Sequence, residues 1–172
     1  MTTNKTTCHF REVQRFNRVG LWIMIIFISG FVLFGTVQEI MYGIETGTDP
    51  DTHIGIIILG LVIGLGIPSV FFMIKLITEV RNDGIYLLFF PFQFKFQHLS
   101  FDDIVSYKVR EFNPQKEFGG WGIKYGESGK AYTMNGNYGV QLDFQDRSEL
   151  MIGSRKSQEL VVAIEKARSV QN

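Results

Sequence analysis

Two stretches without a charged side chain decide most of what this chain can become. Val19 to Gln38 and Ile54 to Ile74, 20 and 21 residues long, contain no Asp, Glu, Lys, Arg or His. At 1.5 Å rise per residue, about 20 residues of helix cover the roughly 30 Å hydrocarbon core of a bilayer. Buried helices of a soluble core are the competing reading, but such helices carry a polar face, and VGLWIMIIFISGFVLFGTVQ is apolar all round. A cleaved signal peptide would have an apolar stretch of only about 7 to 15 residues and a small-residue cleavage site, which this segment lacks. The sequence predicts a two-helix transmembrane hairpin (19–78) with spans at about 19–41 and 54–77 and an external loop over 42–53.

Flanking charge sets the expected orientation. Residues 1–18 carry Lys5, Arg11, Arg15 and Arg18 against Glu12, whereas the connecting QEIMYGIETGTDPDTH carries Glu39, Glu45, Asp49 and Asp51 and no Lys or Arg. Basic flanks stay inside, so a multi-pass cell-membrane protein with both termini cytoplasmic is expected. The single cysteine, Cys8, cannot form an internal disulfide, in keeping with a reducing compartment. Arg11, Arg15 and Arg18 recur at i, i+4, i+7, the spacing of a basic amphipathic arm (1–18) whose arginines rest on anionic headgroups or simply fix topology. In the second span Gly60 and Gly64 form a Gly-x-x-x-Gly pair, a helix-packing face for the first span, through Ser29, Gly30 and Gly35, or for a second copy. With no ionisable group at membrane depth, transport and proton relay are disfavoured.

A chain of 172 residues leaves room for this anchor plus one small domain, assigned to 79–172 and placed on the cytoplasmic side. Asn82-Asp83-Gly84 between two apolar runs is a tight hairpin signal, and the first strand emerges almost directly from the second span. Phe92, Phe94 and Phe96 alternate with polar residues, as do Val105, Tyr107 and Val109, so both segments are expected as half-buried strands. Between them Ser100 caps a brief helical turn. WGIKY, AYTMN, YGVQLDF and ELMIG supply four more strands, with Asp146-Arg147 turning the last hairpin. In SQELVVAIEKARSV, Leu160, Val161, Ile164 and Ala167 form a stripe at helical spacing. The expected fold class is an α+β membrane protein: a transmembrane hairpin, then an open β-barrel of about seven strands with a C-terminal helix.

The stretch from EVRNDGIYLLFFPF through HLSFDDIVSYKV to ELMIGS and the final helix resembles the bacterial pleckstrin-homology-like domain. FREVQRF, ITEVRNDGIYLLFFPF and GGWGIKYGESGKAYTMNGNYGVQL together resemble an uncharacterised prokaryotic family of small two-span membrane proteins ending in such a domain. The resemblance covers nearly the whole chain and implies a fold; it carries no activity and no catalytic residues.

Motifs for chemistry fail one by one. The glycine-rich 119–130 segment has Lys124 and Ala131 where a Walker A loop needs glycine and Ser or Thr, and Tyr125 where a dinucleotide fingerprint needs its third glycine. His9, His53 and His98 fall in three separate segments, and Cys8 has no evident activating base. Asp102 and Asp103 are adjacent, which on a helical turn points them apart, so they suit a helix start better than acid-base work. From Glu79 onward twelve Lys and Arg balance twelve Asp and Glu, so the electropositive patch of a headgroup- or nucleic-acid-binding domain is lacking. The expectation is a non-enzymatic module without cofactor or metal, anchored in the lipid bilayer, binding a protein partner or self-associating. Phe112, Phe118 and Trp121 in REFNPQKEFGGWG are the candidate contact residues. A lipid or small-molecule site at the membrane surface is the alternative.

Overall fold

The computed structural model describes residues 7–43, 49–126, 129–145 and 149–171; Lys5, Glu45 and the Asp146-Arg147 turn lie outside them. The chain forms two compact units, a helical one over Asn17–Met73 and a β-rich one that joins Met1–Phe16 to Ile74–Asn172.

In the helical unit α1 (Val19–Tyr42) and α2 (Pro50–Met73) run 24 residues each. Both overrun the uncharged stretches at the connecting end, taking in Glu39, Asp51 and His53. Glu39 Oε1 and His53 Nδ1 meet at 2.9 Å, which is how these polar groups are accommodated where the helices adjoin. The expected second span of 54–77 is corrected at both ends. Pro50 occupies the first helical position, where its missing N–H costs nothing, and the helix stops at Met73. Ser29, Thr36, Gly60 and Gly64 lie buried between the helices. A Cβ added at Gly60 would overlap Thr36 Oγ1, and one at Gly64 would come within 2.6 Å of Leu33 Cδ2, whereas nothing lies within 4 Å at Gly30 or Gly35. The Gly-x-x-x-Gly face is therefore filled by α1 of the same chain. Only 17% and 11% of the most apolar windows of α1 and α2 are buried, where a soluble core helix would be mostly buried. By length and composition both helices can cross a membrane.

Among the described residues the β-rich unit has nine strands. β1 (Cys8–Arg15), β2 (Lys75–Arg81), β3 (Gly84–Phe90) and β4 (Gln97–Ser100) form an antiparallel sheet in that order. β5 (Ile104–Glu111), β6 (Gly122–Gly126), β7 (Gly129–Thr133), β8 (Tyr138–Phe144) and β9 (Glu149–Gly153) form a second sheet ordered β5-β8-β9-β7-β6, in which β7 and β9 run parallel. Among the described residues no strand of one sheet pairs with the other, so two open sheets replace the expected barrel. The helix α4 (Ser157–Gln171) buries Leu160, Ala163, Ile164 and Ala167 against both sheets. Leu160, Ile164 and Ala167 are the stripe read from the sequence, while Ala163 takes the buried place expected for Val161, which is half-buried.

Local chemistry accounts for most of these elements. Arg81 pairs with Gly84 across Asn82-Asp83, closing the two-residue hairpin. Ser100 Oγ accepts from the Asp102 N–H at 3.3 Å and starts a 3₁₀ turn over Phe101–Asp103. The strand β1 is different. The expected helical arm is a strand that pairs with β2 from Cys8 to Arg15, because its alternation is inverted: polar Glu12 and Gln14 face inward while Val13 faces out. Glu12 accepts from Ser154 Oγ at 2.6 Å and from the Arg155 N–H at 3.1 Å, and Gln14 donates to the Gly153 carbonyl at 2.8 Å. The Glu12 carboxylate and the Gln14 amide N–H thereby tie β1 to the segment that leads into α4, while Gln14 Oε1 is buried without a hydrogen-bond partner among the described residues. A second correction concerns Phe92 to Phe96, which form no strand but a turn between β3 and β4.

Candidate functional site

The aromatic segment chosen from the sequence divides in two. Asn113 starts a short helix, α3 (Pro114–Phe118), with its side-chain oxygen accepting from the Gln115 and Lys116 N–H groups, while Glu117 Oε1 accepts from the Asn113 N–H at 2.6 Å. This reciprocal cap, closed by Gly119 at φ 70°, turns Phe112 and Phe118 inward. Both are buried, 6.1 Å apart edge to face, with Ala131 and Met151 behind them. They are core and present no contact surface, which corrects the expectation for these two residues. Trp121 stays half-buried, and its indole N–H donates to the Gly136 carbonyl at 3.3 Å.

Trp121 borders a cleft of about 290 Å³. Phe16, Ile74, Phe89 and Phe92 line it from the first sheet and its connections, and Gly122 with Ile123 from β6. No lining side chain is ionisable, and the indole N–H, already partnered, is their one strong polar group. The volume sits at the lower edge of the ~300–1,000 Å³ typical of ligand pockets. Such a cleft can exclude water and hold an apolar body; it offers nothing to activate a nucleophile or bind a charge. Phe16 and Ile74 lie next to the points where the chain passes into α1 and α2.

A second, smaller cleft of about 160 Å³ includes Gln97, Tyr125, Lys130 and Glu149. It involves the glycine-rich segment, but its cation is engaged: Lys130 Nζ lies 4.7 Å and 5.5 Å from the ring centres of Tyr132 and Tyr125 and 3.5 Å from Gln97 Oε1. Gly129 in that segment sits at φ 132° with the Glu149 carbonyl pressed against it, so a side chain there would break the β7 and β9 pairing.

The remaining sequence candidates are dispersed. Arg11 lies on the outer face of β1 with its Nε 3.2 Å from Glu79 Oε1. The Arg15 carbonyl accepts from Asn135 Nδ2 at 2.6 Å, and Arg18 caps α1 through its carbonyl. His9 meets Asn82 Oδ1 at 2.6 Å, His53 meets Glu39, and His98 stacks 4.6 Å from Tyr86. No three His, Cys, Asp or Glu among the described residues are grouped to hold a metal ion. Two carboxyls sit below the usual range. Ser106 and then Gln141 hold Asp143 down by hydrogen bonds; at Glu117 burial pulls upward, but the Asn113 N–H and Arg110 outweigh it. Both belong to strand and cap hydrogen bonding. The cleft beside Trp121 went unread in the sequence, since its residues come from four separated segments.

A family described as of unknown function, DUF6141, matches the chain over residues 1–170. No curated protein and no solved structure matches it.

Proposed function

We propose that this chain, which belongs to the DUF6141 family, is a membrane-anchored, non-enzymatic module whose cleft beside Trp121 takes the apolar part of a lipid-like molecule at the cytoplasmic face of the cell membrane. The observation that carries this reading is the cleft itself: largely apolar, with the partnered Trp121 indole as its one strong polar side-chain group, bordered by Phe16 and Ile74, and so next in sequence to both candidate spans. A pleckstrin-homology-like ancestry for the domain is supported by the Asn82-Asp83 hairpin and the C-terminal helix. The cytoplasmic orientation is supported by the basic flank, and β1 pairing with β2 requires both flanks of the hairpin to lie on one side. Docking of a protein through Phe112 and Phe118 has lost its support, because both rings are core.

The test uses the full chain carrying Trp22→Phe, which leaves Trp121 as the sole indole. Stripped of lipid in an amphipathic polymer and titrated with oleate, it should give a saturable blue shift of Trp121 emission. Ile123→Phe, which fills the cleft, should abolish the saturable part. A shift that never saturates, or that survives Ile123→Phe unchanged, removes the cleft as the binding site.

A further inference from the structure

The turn between β3 and β4 carries three phenylalanines, and two of them stand in the open. Phe92 and Phe94 are 67% and 80% exposed, while Phe96 folds back edge-on to Tyr86 at 6.3 Å. Phe92 and Phe94 lean on Phe89 and Phe90, each with ring centres 5.8 Å apart. The turn is pinned between them by Gln93, whose N–H donates to the Phe89 carbonyl at 2.8 Å and whose side chain accepts from the Phe89 N–H at 3.3 Å and donates to Tyr132 OH at 3.1 Å. Two large apolar rings are thus held outward by a hydrogen-bonded scaffold, an arrangement that water alone does not favour.

Register gives the direction. Arg15 pairs with Lys75 and Lys75 with Phe90, so β1, β2 and β3 share one sheet end at these residues. From that end the chain continues to α1 after Phe16, Asn17 and Arg18, and it arrives from α2 through Ile74 alone. The aromatic turn starts from the same end, at the residue after Phe90. Cations accompany the rings: Lys75 Nζ lies 5.3 Å from the Phe90 ring centre, and Lys95 is exposed within the turn. Apolar rings with long cationic side chains beside them suit the layer between acyl chains and headgroups. Links of one and three residues would also keep that layer at high effective concentration.

We propose that Phe92 and Phe94 insert into the interfacial layer of the bilayer crossed by α1 and α2, as a third attachment that fixes the domain's face toward the leaflet. This rests on reading the two helices as spans. It is tested on the full chain in phosphatidylcholine vesicles, in a Cys8→Ser background, with nitroxides at Phe92→Cys, Phe94→Cys, Tyr138→Cys on the domain surface and Ile28→Cys within α1. Collision with oxygen against a water-soluble nickel chelate reads depth. Labels at 92 and 94 should favour oxygen, as at 28, by several-fold over 138. If 28 is shielded from nickel but 92 and 94 behave like 138, the insertion is overturned and the spans stand. If 28 is open to nickel, the spans fall and the proposal with them. Shielding of 92 and 94 from both reagents would overturn it in favour of a contact with another copy.

Discussion

Glu79 is a nearly buried carboxylate on the outward side of β2, and its neighbours show how the sheet tolerates it. Arg81 donates from two guanidinium nitrogens at 2.6 and 3.0 Å, and Arg11 approaches at 3.2 Å. The hydrogen bond to Glu79 leads the effects that raise Arg81 above its ordinary value, and the guanidinium also lies 4.3 Å over the Tyr86 ring. Removing the acid strands two cations, so Glu79→Gln should cost about 1–3 kcal/mol by denaturant unfolding, and Arg11→Gln, whose side chain is largely exposed, under about 1 kcal/mol. Asp143 makes a pH-dependent contribution. Its carboxyl is held below the unfolded value by Ser106 first, so its stabilisation is present above about pH 4 and is lost as pH falls through the folded value. Asp143→Asn should therefore lower stability at neutral pH, and the deficit should shrink as pH falls below about 4, flattening the acid limb of a stability profile. The aromatic residues show what residue type cannot convey: Phe112, Phe118, Phe92 and Phe94 have the same side chain, yet the first two are core and the last two are exposed. Composition gives the apolar surface of each; only the turn each sits on decides where it faces.

At the scale of elements, the hairpin α1-α2 and the helix α4 were legible because each carries its own signal within a single segment. Gly60 and Gly64 were legible as a packing face, and their partners became specific, Thr36 and Leu33. Gly60→Leu should therefore part the helices, whereas Gly66→Leu, with nothing within 4 Å, should not. Disulfide trapping between cysteines engineered on facing sides of α1 and α2 would fall at least several-fold for the first and stay level for the second. The two misread elements mislead in opposite directions. β1 places arginines at helical spacing by coincidence, while two of its three inward residues are the polar Glu12 and Gln14 beside Phe10, and their partners Gly153, Ser154 and Arg155 are some 140 residues away. The 92–96 segment alternates as a strand would, but among the described residues no strand pairs with it, and it forms a turn.

For the whole molecule, the consequence is an insertion. The helical unit interrupts the β1-β2 hairpin, so the β domain is discontinuous and the expected boundary at residue 79 runs through the middle of β2. A fragment of 79–172 would lack β1 and half of its partner, removing much of the first-sheet surface on which α4 packs. It should be unfolded or aggregated by circular dichroism and light scattering. The complementary design, Asn17–Met73 replaced by a short Asn-Gly turn joining Phe16 to Ile74, should give a soluble, cooperatively folding domain, because Arg15 and Lys75 are already paired neighbours. Failure of that design alongside a folded 79–172 would mean that β1 is dispensable.

The sequence by itself determined two helices long and apolar enough to cross a membrane, the hairpin at Asn82-Asp83, the cap at Ser100 and the amphipathic closing helix. Each is written in contiguous residues whose local preference and burial agree. The tertiary structure alone decided the strand before the first helix, the parallel pairing of β7 with β9, the burial of Phe112 and Phe118 and the cleft beside Trp121. These depend on side chains brought together from distant segments, and no local periodicity encodes the identity of a partner that arrives only when the sheets assemble.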